Sequence, residues 1–145
     1  MVLNRQRRVP VPVNDLERFL ARARRALRLP ADSLTVCLVT DAEIARWNRA
    51  YRGKPRPTDV LSFRAEEDAA NGPSSGRNKR TSYLGDIAIA PAVARRNAKK
   101  FGRTFDDEMR MLVLHGMLHL MGYDHETDNG EMRTIERRFR QKFQC

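Results

Sequence analysis

Cysteine is nearly absent from this 145-residue chain: Cys37 lies inside an apolar run and Cys145 is the last residue. Two thiols without the paired spacing of a thiolate metal site cannot staple a fold of this size, so the structure must rest on a hydrophobic core. Cys37 is expected to be a reduced core residue and Cys145 to be incidental. Long hydrophobic runs are missing as well. No apolar stretch approaches the roughly 18 to 20 residues that cross a bilayer. The opening residues, MVLNRQRRVPVPV, lack the continuous apolar segment of a secretory signal. No membrane partner is therefore expected, and the cytoplasm is the expected compartment. Nothing repeats at the periods of solenoids, which leaves residues 1–145 as a single domain.

Acidic residues are in the minority. Against 18 Asp and Glu stand 28 Lys and Arg, a formal net charge of +10. Such a field attracts polyanions, and it is equally what an arginine-rich, solvated surface without a partner produces; charge alone does not choose between them. With 41% hydrophobic residues there is ample material for a core.

Hydrophobic spacing divides that material into elements. Pro10 and Pro12 restrict the opening segment to an edge strand at most. Asn14 and Glu17 resemble a capping box, followed by Leu16, Phe19, Leu20, Ala23 and Leu27 at helical spacing, with Pro30 as the stop. Residues 34–40, LTVCLVT, read as a strand covered on both faces. Thr40 and Glu43 open a short helix through Trp47 to about Tyr51. DVLSF (59–63) and LGDIAIA (84–90) are expected to pair as strands, and the polar stretch 66–82 between them to be a flexible loop. Pro91 begins a helix ended by Gly102. Thr104 and Asp107 cap another, apolar almost all round from Met109 to Met121 and therefore central. Asp128 and Glu131 open a last helix with Met132, Ile135, Phe139 and Phe143 along one stripe. The expected fold is α+β: one short mixed sheet packed with about five helices, the central one carrying the histidines discussed next.

All three histidines fall in one window, HGMLHLMGYDH, which reads H-x-x-x-H-x-x-G-x-x-H. His115 and His119 lie one helical turn apart on the same face, Gly122 allows a sharp turn, and His125 returns a third nitrogen. Three neutral imidazoles with one open position are the donor set of a catalytic zinc site, and one Zn2+ per chain is expected. Iron, nickel, copper or cobalt could use the same nitrogens. The spacing matches the metzincin zinc sites, but Gly116 occupies the position where those peptidases carry their general-base glutamate. Asp124 and Glu126, on either side of His125, could orient a ligand or accept a proton.

A second cluster, YRGKPRPTDVLSF, crowds Arg52, Lys54 and Arg56 onto a Gly/Pro turn, and guanidinium forks match phosphate oxygens. Such a turn is often merely solvated; beside a metal site on a basic chain it becomes a candidate phosphate-binding element.

Taken together, LHGMLHLMGYDH, YRGKPRPTDVLSF and LGDIAIAP resemble the YbeY family of single-strand-specific, metal-dependent endoribonucleases, in the same order and over most of the chain. The resemblance implies an α+β fold, zinc held by His115, His119 and His125, and a role in ribosomal RNA processing, including 3′-end maturation of small-subunit RNA, and in ribosome quality control. It implies that Arg52 acts in binding or catalysis, with His115 as the other catalytic candidate and Arg52, Lys54 and Arg56 contacting substrate. The implied partners are single-stranded RNA, ribosomal RNA precursors and the small ribosomal subunit, with no DNA. The remaining alternatives are a zinc peptidase and a non-catalytic RNA-binding assembly factor. Arg64 departs from the family pattern, which has a proline after Ser-Phe, and 66–82 is long for its position. Aromatics make up only 7% of the chain, so base stacking is expected to contribute little. Asp86 is read as a strand-end structural residue.

Overall fold

The structure, a computed structural model, describes residues 1–54, 56–65, 83–123 and 130–145. The expected loop 66–82, together with Pro55, Asp124, His125, Glu126 and Asp128, lies outside them. The elements run β1 (Val2–Asn4), α1 (Val13–Ala26), β2 (Leu34–Leu38), α2 (Asp41–Arg52), β3 (Val60–Arg64), β4 (Gly85–Ile89), α3 (Pro91–Phe101), α4 (Phe105–Leu120) and α5 (Glu131–Phe143). The four strands form one mixed sheet in the order β1-β2-β4-β3. β1 runs parallel to β2 and β2 to β4, while β3 pairs antiparallel with β4, Leu61 opposite Ala88. The fold is α+β, as expected, with β1 at an edge.

β2 and β4 are buried along their whole lengths, which is why both read as continuous apolar runs rather than alternating ones. On one face Val36, Leu38, Ile87 and Ile89 meet α1 and α4. On the other, Cys37, Val39, Leu61, Phe63 and Ala88 meet Ile44 and Trp47 of α2. α4 has Met109, Val113, Leu114, Met117 and Leu118 essentially without solvent contact, so the helix apolar on all sides is indeed the central one. Neither cysteine is in a disulfide; Cys37 is buried and Cys145 half-buried against the core.

Local chemistry sets the helix ends, with two departures from expectation. Thr40 accepts from the Glu43 amide at 3.2 Å and Thr104 from the Asp107 amide at 3.1 Å, as their spacing predicts. α1 has no such cap. It starts two residues earlier, with Pro12 at the N-cap, and the Glu17 carboxylate instead accepts from the amide of Val2, fastening β1 to α1. α1 also ends before Pro30, because Arg28 turns left-handed (φ 58°) and the Leu29 amide closes back on the Arg24 carbonyl at 2.9 Å. α5 begins at Glu131 behind Gly130, with no side-chain cap.

Candidate functional site

α4 brings His115 and His119 to its last turns, and their Nε2 atoms lie 2.9 Å apart with the rings nearly perpendicular, at 76°. The i, i+4 spacing does this directly, since both side chains leave the same face. The face is held in place from the sheet side. Gly116 lies against Ile87 of β4 so closely that a Cβ would come within 2.8 Å of Ile87 Cγ2. Ser62 donates to the Gly116 carbonyl at 3.3 Å, and the Arg64 Nε donates to the His119 carbonyl at 3.0 Å. Arg64, which departs from the family pattern, thus ties edge strand β3 to the end of the histidine helix. Beyond it Gly122 adopts φ 101°, a conformation that L side chains rarely take, as the expected sharp turn requires.

The same packing disposes of a metzincin-type base at position 116. That position points into the sheet, away from the imidazoles, and any side chain there would meet β4.

Glu136 of α5 is a site residue that sequence reasoning missed. Its carboxylate accepts from Nδ1–H of His115, with the two side chains 19% and 29% exposed. Donating Nδ1–H to a carboxylate leaves the lone pair on Nε2, which faces His119; carboxylates hold metal-ligating histidines in this way and raise their basicity. Glu136 follows Met132 by four residues, and Met132 is fully buried, which places the carboxylate on the inner side of α5.

Two imidazole nitrogens converging on one point, one ring fixed by a carboxylate, fit a borderline cation such as zinc. His125, the expected third ligand, lies outside the described residues, and among the described residues no group of three His, Cys, Asp or Glu converges.

The basic turn is anchored to the end of α2. Arg52 ends α2, Gly53 caps it in the left-handed conformation, and buried Asn48 donates to the Arg56 carbonyl at 2.9 Å. The Arg52, Lys54 and Arg56 side chains are exposed and form no ion pair among the described residues. α2 packs on the opposite face of the sheet from α4, so the turn and the pair His115 and His119 lie on either side of edge strand β3, and among the described residues no hydrogen bond joins them. Asp86 is buried near the start of β4, where Tyr83 bonds to it and also to Thr35. Its neighbours on β4, Gly85 and Ile87, face α4, so Asp86 faces the α2 side, consistent with the structural role expected of it.

A mixed sheet backed by a buried helix that presents paired imidazoles defines an α+β protein with a histidine site. A family model described as endoribonuclease YbeY matches residues 2–144, and the chain belongs to that family. Among curated relatives, the endoribonuclease YbeY of Solibacter usitatus is 42% identical over 88% of this chain and 76% of its own. That of Koribacter versatilis is 37% identical over 98% of this chain and 84% of its own. The corresponding protein of Geobacter metallireducens is 38% identical, over 98% and 91%. The solution structure of TM1509 from Thermotoga maritima superposes with a TM-score of 0.62 at 28% identity, covering 96% of this chain and 86% of that one.

Proposed function

We propose that this chain is a zinc-dependent, single-strand-specific endoribonuclease that acts in the cytoplasm on ribosomal RNA precursors, in 3′-end maturation of the small-subunit RNA and in ribosome quality control. The observation that carries the reading is the convergence of His115 and His119, with Glu136 fixing the first ring, in a chain of this family. His115, His119 and His125 would hold one zinc ion. Bound there, zinc supplies Lewis acidity at the scissile phosphate. Glu136 keeps His115 in the ligating tautomer, and Arg64 keeps the end of α4 against β3. Arg52, Lys54 and Arg56 draw the RNA backbone to the rim by charge-assisted hydrogen bonds.

The peptidase alternative is weakened by Gly116, whose place against Ile87 leaves no room for a glutamate on the histidine face. The non-catalytic alternative is separated by experiment. Wild type should contain about one zinc per chain and cleave a single-stranded RNA, as expected of a three-histidine site with an open position. His119→Ala should lose both, and Arg52→Ala should keep zinc while cleaving poorly. A metal-free wild type with undiminished cleavage would sink the scheme, and a zinc-loaded wild type that never cleaves RNA would favour the assembly factor.

A further inference from the structure

Phe101 is 57% exposed, in a chain whose other five phenylalanines are buried or half-buried. It is the last residue of α3 and borders an open cleft of about 250 Å³ lined by α3, α4, α5 and the residues leading into β3. His115 and Glu136 form part of the same wall. Two cations lie over the ring, the Arg103 guanidinium 5.3 Å and the Lys100 ammonium 5.5 Å from its centroid, so a base that takes a ring face arrives beside two positive charges. Arg103 is itself anchored, by a 3.0 Å ion pair to buried Glu108. Asp59 and Asn97 also line the cavity; the Asn97 amide donates to the Asp59 carboxylate at 3.4 Å, which leaves the Asn97 carbonyl and its second N–H for a ligand. The space is below the roughly 300 Å³ at which pockets take drug-sized ligands, so it suits one planar heterocycle rather than a length of polymer.

We infer that this cavity is a nucleobase subsite. An unpaired base stacks on Phe101 with its edge toward Asn97 and Asp59, its phosphate is drawn by Lys100 and Arg103, and the adjoining backbone lies toward His115. The inference rests on the endoribonuclease reading and deepens it. A base inside a duplex has both faces covered by its neighbours, so a stacking subsite beside the histidines selects single strands. Stacking then has a part that the low aromatic content did not suggest: one exposed ring is enough when it stands at the site.

The probe is a single-stranded phosphorothioate RNA decamer, compared with the same backbone made abasic. Wild type should bind the base-bearing decamer about tenfold or more tightly than the abasic one, the usual scale for losing one base–aromatic stack. Phe101→Ala should lose that discrimination while keeping its zinc and its fold by circular dichroism, and Phe101→Tyr should restore it. Equal discrimination by wild type and Phe101→Ala would overturn the subsite, as would a wild type indifferent to the bases. If such a wild type still cleaves RNA, the endoribonuclease reading survives the loss of the subsite; if it neither binds nor cleaves RNA, both fall.

Discussion

Glu136 touches no expected reacting atom, yet it decides which nitrogen of His115 is available. Replacing it with glutamine keeps a hydrogen-bond acceptor but removes the charge that makes the imidazole a better donor, while alanine removes both. Losing such a partner lowers metal affinity by about 10- to 100-fold. Glu136→Gln should therefore show a weaker zinc dissociation constant by chelator competition, and Glu136→Ala a weaker one still. Equal affinities for all three proteins would show that the carboxylate only packs. The histidines were legible from sequence because their chemistry is carried by local spacing. Glu136 was not, because its partner lies 21 residues away on another helix and nothing in TIERRF distinguishes a carboxylate facing a histidine from one facing water. Phe101 was missed for the opposite reason: composition counts aromatics but does not say which one is left outside.

At the scale of elements, strands and helices were readable wherever hydrophobic period and capping chemistry agreed. Thr104 and Thr40 cap as expected, each hydroxyl taking the amide three residues on. The Asn14–Glu17 pair has the same spacing and fails, because Glu17 is taken by the Val2 amide across 15 residues of sequence. A tertiary demand, satisfying the edge strand's backbone, outweighs a local motif. The two sites should respond differently to alanine. Thr104→Ala removes a formed cap and should cost about 1 kcal/mol. Asn14→Ala removes none and should stay within about 0.5 kcal/mol. Urea midpoints at unchanged slope measure both. A full capping cost at Asn14 would mean that the box forms after all.

For the whole molecule, the open question is whether the +10 charge acts as a diffuse field or through one built element. Some arginines are engaged: Arg5 with Glu43, Arg18 with Asp15, Arg96 with Asp41 and Arg103 with Glu108. Among the described residues the Arg52, Lys54 and Arg56 side chains form no such pairs, while Gly53 caps the helix that ends in Arg52 and Asn48 holds the Arg56 carbonyl. Desolvating and ordering them therefore costs less than it would for cations on a floppy loop. A diffuse field predicts that removing three of 28 basic side chains barely alters the salt response of RNA binding. A built element predicts otherwise. Each phosphate neutralised on a single strand contributes about 0.7 to the slope of log K against log salt. Changing Arg52, Lys54 and Arg56 together to alanine should then lower that slope by about 2, measured as the dissociation constant of a single-stranded RNA from about 50 to 200 mM KCl. The same three changes spread over Arg18, Arg22 and Arg25 of α1 should leave the slope nearly unchanged. Equal effects from the two triple variants would assign RNA attraction to the general field and remove the turn from the site.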